Sequence, residues 1–151
     1  MKQFNHPIVV IDINVFVSGT IVSKGNSSKI MNAWREGYFE LAISEPILEK
    51  MNSVYKYPRI QKYTKVKSNG EINEFINDIR ESAIIISNLP EINISPDPED
   101  NLIISCAIGA NANYIVSGDK KHVLPIKNIQ GIKILSPTEF IEELTLLSEH
   151  K

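Results

Sequence analysis

The segment from Ile8 to Val17, IVVIDINVFV, restricts the fold more than any other part of the chain. It is an apolar run rich in β-branched residues, which is the pattern of a strand buried on both faces of a sheet. One acid, Asp12, lies inside this run. We therefore expect Ile8–Val17 to form the first, central strand of the sheet and Asp12 to be a buried carboxylate.

Patterns typical of helices and strands alternate along the rest of the chain. Apolar residues at helical spacing predict helices between Ser27 and Gly37, from Ser44 to before Pro58, from Ile72 to Ala83, from Asn101 to Ala110 and from about Pro137 to Leu147. Short apolar runs predict strands at Tyr38–Ile43, Tyr114–Ser117 and Ile132–Leu135 and, with a less defined boundary, at Ala83–Ile86. Such alternation requires right-handed crossovers, so we predict a three-layer α/β fold with a central parallel sheet of four or five strands and helices on both faces.

Length and composition indicate an ordinary soluble protein. The 151 residues fit one domain, residues 1–151, and 42% of them are hydrophobic and 23% charged. The single cysteine, Cys106, cannot form an internal disulfide, and no apolar run approaches the roughly 20 residues of a membrane span. The start, MKQFNHP, lacks the apolar stretch of a signal peptide, so we expect a cytoplasmic protein. The net charge of −2 argues against a generally basic nucleic-acid binder, so any RNA contact must use a local patch or a metal.

Three aspartates stand where predicted strands end or helices begin. An unpaired carboxylate at Asp12 would be costly unless it is hydrogen-bonded, paired with a cation or bound to metal. Asp100 opens a predicted helix, and Asp119 directly follows the strand-like segment YIVSG. If the two strands are neighbours, these carboxylates converge beyond the carboxyl ends of the strands, where open α/β sheets bind ligands.

Each acid also has a purely structural interpretation. Asp97 or Asp100 can cap the predicted helix, Asp119 can belong to a Gly-Asp turn, and Asp12 can be satisfied internally. For Asp12 we favour function, because a cap or a turn does not explain a carboxylate inside a continuous strand. Converging carboxylates are stable together mainly around a hard cation such as Mg²⁺ or Mn²⁺, which predicts metal-assisted hydrolysis of a phosphodiester.

Three segments in order across nearly the whole chain resemble the PIN-domain family. They are IVVIDINVFVSG near the start, SEPILEKMNSVYKYPRI in the middle and PDPEDNLIISCAIGANANYIVSGDKKHVL later in the chain. More narrowly, the chain is similar to the PIN-family toxins of prokaryotic toxin–antitoxin pairs, which typically cleave RNA with Mg²⁺ or Mn²⁺. No single motif is specific, whereas the ordered set is.

The resemblance implies particular roles for residues of this chain. Asp12, Asp100 and Asp119 match the family's metal-binding and catalytic acids, and Asn14 and Ser117 match supporting polar positions. Asp97, beside Asp100, is expected as a further supporting polar residue. The resemblance also implies an antitoxin protein as partner and pairing of the domain as a homodimer.

Three positions depart from the family pattern. Ile13 stands where a small hydroxyl residue is common, and Ser105 stands where related sequences often carry an acid. The largest departure is Lys50, at the position where the family usually has a glutamate in the helix after Ser44. Helical geometry favours Lys50 over Glu49 as the occupant of that position, because Glu49 points nearly opposite the apolar face that Lys50 flanks. A lysine there either weakens metal affinity or contacts substrate phosphate as a point charge.

The segment from Lys50 to Lys67 contains no acid and is a candidate RNA-binding surface. Its basic and aromatic residues are Lys50, Lys56, Arg59, Lys62, Lys65 and Lys67, interleaved with Tyr55, Tyr57 and Tyr63. Such a mixture can contact phosphates and stack on bases, but it is equally compatible with a solvated helix face whose tyrosines lie half in the core. The three histidines, His6, His122 and His150, show no paired spacing, so they are assigned no role.

The leading functional hypothesis is a metal-dependent endoribonuclease that is the toxin of a toxin–antitoxin pair. The alternative, favoured by Lys50 and Ser105, is a degenerate PIN domain that binds RNA or a protein partner without cutting it. A phosphatase of the haloacid dehalogenase type also has an aspartate after its first strand. It normally needs a second aspartate two residues later, where this chain has Asn14.

Overall fold

A computed structural model describes residues 6–149 of the chain. The strands are β1 (Ile8–Ile11), β2 (Glu40–Ile43), β3 (Ile84–Ile85), β4 (Tyr114–Val116), β5 (Asn128–Ile129) and β6 (Ile132–Leu135). The helices are α1 (Ile13–Ile21), α2 (Asn26–Arg35), α3 (Glu45–Tyr55), α4 (Pro58–Gln61), α5 (Asn69–Ser82), α6 (Pro98–Ala110) and α7 (Pro137–Glu149), with a 3-10 helix at Leu124–Ile126. His150 and the first five residues, on which part of the signal-peptide expectation depends, lie outside the described residues.

The sheet has the order β3-β2-β1-β4-β6-β5, with β1 near its centre. The five strands β3, β2, β1, β4 and β6 run parallel, which confirms the predicted parallel α/β sheet flanked by helices. β5 is an additional two-residue strand that pairs with β6 antiparallel. Gln130 and Gly131 connect them with φ values of 49° and 84°, the positive φ that tight hairpin turns require.

The prediction that Ile8–Val17 is one strand is wrong beyond Ile11. The strand ends there, and residues from Ile13 onward form helix α1. Val15, Phe16 and Val17 are almost completely buried in this helix, so it is apolar on nearly every side. A short apolar run fits a buried helix as well as a buried strand, and hydrophobic periodicity cannot separate the two.

The helix predicted after Ser44 is confirmed. Ser44 is its N-cap, and its hydroxyl accepts a hydrogen bond from the backbone N–H of Ile47 at 3.4 Å. The predicted apolar face is buried, comprising Ile47, Leu48, Met51, Val54 and Tyr55. Glu49 is exposed and Lys50 half-buried, as the helical geometry predicts.

Helices α6 and α7 both pack against the sheet. Helix α6 packs against β1, β2 and β4, and helix α7 packs against α2 and β6. Phe140 of α7 makes edge-to-face contacts with Phe39 and with Tyr114 of β4, with ring centroids 5.3 and 5.7 Å apart. Between residues 6 and 149, no helix is both long and apolar enough to cross a membrane.

Candidate metal centre

The carboxyl ends of β1 and β4 open into one cleft of about 390 Å³. Five carboxylate residues line it, namely Asp12, Asp97, Glu99, Asp100 and Asp119, and we call it the acidic cleft. β1 and β4 are neighbours, with Ile11 paired to Val116, so the residues that follow them meet at one edge of the sheet. Helix α6 adds the remaining acids from its N-terminal end. The structure therefore brings together the three aspartates singled out in the sequence.

Asp12 is 6% exposed and has two hydrogen-bond donors within the protein. Its Oδ2 accepts from the hydroxyl of Ser117 at 3.0 Å, and its Oδ1 accepts from the backbone N–H of Asn14 at 3.4 Å, which makes Asp12 the N-cap of α1. A cap does therefore account for part of its position, contrary to the interpretation from the sequence. Burial nevertheless raises the pKa of the Asp12 carboxyl, and the charges of Asp100 and Asp119 raise it further. The carboxylate form is thus disfavoured unless a cation is present.

The two cap candidates of helix α6 have separate places. Asp97 is the cap, because its Oδ1 accepts from the backbone N–H of Glu99 at 2.9 Å. Asp100, 5% exposed, instead accepts from the hydroxyl of Ser95 at 2.7 Å through Oδ2. Burial raises the pKa of Asp100, and the negative charges of Asp97 and Asp119 add to this effect. Asp100 is therefore left to the acidic cleft, with Ser95 fixing its orientation.

Asp119 is held by the turn that follows it. Its Oδ1 accepts from the backbone N–H groups of Lys121 and His122, both at 2.9 Å. These bonds, that of His122 first, lower the pKa of the Asp119 carboxyl, and a hydrogen bond with the Asp100 side chain contributes as well. Asp119 therefore ionises more readily than Asp12 or Asp100, whose pKa values are raised.

Ser117 connects two of these acids. Its side chain is completely buried; the hydroxyl donates to Asp12 and accepts from the backbone N–H of Asp119 at 3.0 Å. Asn14 lines the cleft and is exposed there. Both residues predicted as supporting polar positions therefore lie at the cleft, Ser117 beneath the acids and Asn14 at the surface.

His122 was not assigned a role from the sequence. Its Nδ1 lies 3.7 Å from Oδ2 of Asp119. Asp100, Asp119 and His122 each offer one ligand atom, and these atoms lie within 4.8 Å of one another. The sequence signal was the spacing of three residues after Asp119, which a search for paired histidines does not detect.

Glu99 lies near a residue of opposite charge, Lys50. Burial raises the pKa of Glu99, and Asp12 and Asp97 raise it further, whereas the ammonium of Lys50 lowers it. Lys50 also donates to the phenolic oxygen of Tyr57 at 3.4 Å. The position where the resemblance predicts a glutamate thus carries a cation whose charge acts on Glu99.

The other two departures from the family pattern have structural explanations. Ser105 is 7% exposed and its hydroxyl donates to the backbone carbonyl of Pro90 at 2.5 Å, so it ties α6 to the preceding segment. Ile13 is completely buried in the core. Neither side chain lines the acidic cleft.

The candidate RNA-binding segment is divided between surface and core. Lys56, Arg59 and Lys62 are exposed, and the Arg59 guanidinium lies 5.4 Å from the centre of the Tyr57 ring. Tyr55 is completely buried and hydrogen-bonded to Thr20, so it belongs to the core. Tyr63 is 69% exposed and is available for stacking.

Comparisons with known proteins bear on both the fold and the cleft. The family model described as PIN domain matches residues 8–121, a range that contains all five carboxylates of the acidic cleft. An uncharacterized protein of Methanocaldococcus jannaschii, MJ1680, is 31% identical over 143 residues, covering 89% of this chain and 90% of that protein. The crystal structure of VapBC2 from Rickettsia felis bound to a DNA fragment from their promoter superimposes with a TM-score of 0.54 at 16% identity, covering 85% of this chain and 98% of that one. The last likeness concerns the fold alone.

Proposed function

The chain belongs to the PIN-domain family, and on that premise we propose that it is a metal-dependent endoribonuclease, the toxin of a toxin–antitoxin pair. The observation that carries the proposal is the convergence of Asp12, Asp100 and Asp119 in one cleft at the carboxyl ends of β1 and β4. The substrate is the phosphodiester backbone of RNA. The whole chain, residues 1–151, acts as one domain in the cytoplasm.

The donor set of the cleft fits Mg²⁺ or Mn²⁺. Both ions prefer oxygen ligands and keep part of their hydration shell, and the cleft offers carboxylates with room for water. Burial raises the pKa values of Asp12 and Asp100, and the neighbouring carboxylates raise them further, so a bound cation would favour the charged forms of both. Asp100 and Asp119 would hold the ion, with Asp12 completing the set.

The protein's own groups would orient the reaction. When bound, the metal supplies a water of lowered pKa and neutralises charge on the phosphodiester. Ser95 and Ser117 orient Asp100 and Asp12 through hydrogen bonds of 2.7 and 3.0 Å, so both carboxylates are held at the cleft before an ion binds. Asn14, exposed at the cleft, is placed to donate its side-chain amide to a phosphate oxygen or to the attacking water.

RNA would reach the cleft from the side of α3 and α4. Lys56, Arg59 and Lys62 are exposed and can contact phosphates, while Tyr63 can stack on a base. Lys50 lies between this basic surface and the acids, since it contacts Tyr57 and its charge acts on Glu99. These contacts support a path for RNA from the basic surface to the acidic cleft. The net charge of the chain is −2, so the attraction for RNA must come from this local basic surface.

The test is a titration of Mn²⁺ and Mg²⁺ by calorimetry on wild type and Asp12→Asn, with RNA cleavage assayed at the same metal concentrations. We expect metal-dependent cleavage by the wild type, and a loss of cleavage by at least about 100-fold in the variant because a ligand to the metal is removed. Metal binding without cleavage by the wild type would exclude the nuclease. Absence of metal binding would exclude the metal centre itself.

A second candidate function, favoured by the position of Lys50, is a PIN domain that binds RNA or a protein partner without cutting. The change Lys50→Glu distinguishes the two functions, with Lys29→Glu as a control of equal charge change at an exposed position of α2, outside both the acidic cleft and the basic surface. For a nuclease, we expect Lys50→Glu to increase metal affinity by on the order of tenfold, about 1.4 kcal/mol, and to raise the cleavage rate at limiting metal. If neither the wild type nor either variant cleaves RNA, the non-cleaving function is favoured.

The proposed toxin role requires a partner. An antitoxin protein would dock across the acidic cleft and prevent access of RNA, and the domain would pair as a homodimer. Co-expression with the product of a neighbouring gene, followed by cleavage assays on the purified complex, tests this part of the proposal. We expect the complex to stay folded without added metal and to lose cleavage activity.

A further inference from the structure

We propose that His122 is a nitrogen ligand of the metal centre, beside Asp100 and Asp119, and that it makes the site select a first-row transition ion such as Mn²⁺ over Mg²⁺. The inference rests on the proposed metal-dependent function for the presence of an ion, but it concerns the ligand set rather than the reaction. It assigns to this chain a mixed nitrogen and oxygen site in place of one built from carboxylates alone.

The distances permit ligation by all three residues. Protein ligands bind divalent ions of this size at about 2.1 Å, so two ligands of one ion can be 3.7 Å apart, the separation of His122 Nδ1 and Asp119 Oδ2. The ligand atoms of Asp100, Asp119 and His122 lie within 4.8 Å of one another. Only a small side-chain adjustment is needed to bring them around one ion.

The turn after β4 fixes the backbone of His122 beside Asp119. Oδ1 of Asp119 is engaged by backbone N–H groups, including that of His122 itself, which leaves Oδ2 for an ion. Val123 is 2% exposed, so the residue next to His122 is anchored in the core. The His122 side chain, 36% exposed, lies next to Asp119, with Nδ1 3.7 Å from Oδ2 of that residue.

The other members of the set are prepared for a cation. Asp100 is 5% exposed and has one oxygen fixed by Ser95, and its carboxylate oxygen lies within 4.8 Å of that of Asp119. A divalent cation between these two carboxylates would offset the repulsion of their charges. Imidazole nitrogen favours transition ions, whereas Mg²⁺ prefers a shell of oxygen ligands, so the third ligand decides the preference.

The test uses pulsed electron paramagnetic resonance of the full chain loaded with Mn²⁺. We expect modulation from a directly bound ¹⁴N nucleus in the wild type, replaced by a ¹⁵N signal when histidine is ¹⁵N-labelled. His122→Gln should lose the signal, whereas the control His6→Gln, at a residue outside the acidic cleft, should keep it. Calorimetry should show Mn²⁺ affinity falling on the order of tenfold in His122→Gln with Mg²⁺ affinity changed much less.

The outcomes separate this inference from the proposed nuclease function. Nitrogen modulation without RNA cleavage supports the ligand assignment and excludes the nuclease. Cleavage with bound Mn²⁺ but no nitrogen modulation overturns the assignment and leaves the nuclease intact, with His122 serving only as an ion-pair partner of Asp119. Absence of Mn²⁺ binding overturns both.

Discussion

Asp12 illustrates how a single buried residue can oppose stability while serving a site. It is 6% exposed and accepts hydrogen bonds from the Ser117 hydroxyl and the Asn14 backbone N–H, yet burial, together with the charges of Asp100 and Asp119, raises the pKa of its carboxyl. A raised pKa means that the native state binds protons more readily than the unfolded state. Folding is then penalised at neutral pH, and the penalty disappears as the pH falls through the folded pKa toward the unfolded one.

The change Asp12→Asn should therefore stabilise the metal-free protein. An amide of nearly the same shape keeps an oxygen for the Ser117 hydroxyl and removes the buried charge. We expect the melting temperature in EDTA at pH 7 to rise by a few degrees, since roughly 1 kcal/mol corresponds to about 4 °C in a domain of this size. The gain should vanish near pH 3, where the wild-type carboxyl is protonated in both states. Equal or lower melting temperatures at pH 7 would show that Asp12 is fully compensated by its hydrogen bonds.

The three aspartates of the cleft show where inference from sequence succeeds. Asp12, Asp100 and Asp119 could be placed together because the carboxyl ends of parallel strands meet at one edge. His122 could not, because its proximity to the acids depends on the path of a turn, which leaves no periodic pattern in the sequence. Glu99 was not singled out either, although it directly precedes Asp100 in the chain.

At the scale of elements, the contact between α1 and α2 positions the first acid of the cleft. Gly19 of α1 lies so close to α2 that a Cβ there would be 2.5 Å from the backbone oxygen of Ser27 and 2.6 Å from the Met31 side chain. α1 begins at the Asp12 cap, so any displacement of the helix is transmitted to the cleft. The same helix was predicted as a strand, because it is too thoroughly buried to show the one-sided apolar stripe that identifies a helix.

The change Gly19→Ala should destabilise the fold by about 1–3 kcal/mol, because backbone rather than a flexible side chain opposes the new methyl group. Gly70→Ala in α5 is the matched control. Its nearest neighbour would be the Ser68 hydroxyl at 3.9 Å, and alanine is the better helix former. Urea denaturation of both variants should show a lower midpoint for the first and an unchanged or higher midpoint for the second. Equal midpoints would contradict the close approach of the two helices.

For the whole molecule, the parallel sheet determines both the fold and the location of the charge. Apolar runs predicted the parallel strands β1, β2, β4 and β6, and they located the two-residue β3 because it lies within the apolar run Ala83–Ile86. The β5–β6 hairpin was missed, since β5 has only two residues and its turn uses Gln130 at φ 49°, which the residue type does not predict. The sheet collects five carboxylates at one end, and the metal-free molecule must tolerate their repulsion.

Divalent metal should therefore stabilise the entire fold, and not only the cleft. An ion that binds the native state alone adds about 2.7 kcal/mol at 100 times its dissociation constant, or roughly 10 °C in melting temperature for a chain of this length. We expect thermal scans of the wild type to show such a rise with Mn²⁺, and scans of Asp12→Asn and Asp100→Asn to show much less of it while starting from higher metal-free melting temperatures. The two effects have opposite signs in the same variant, so a general loss of structure cannot imitate them. A wild type that melts at the same temperature with and without Mn²⁺ would mean that the acidic cleft is stabilised by its hydrogen bonds and protons alone.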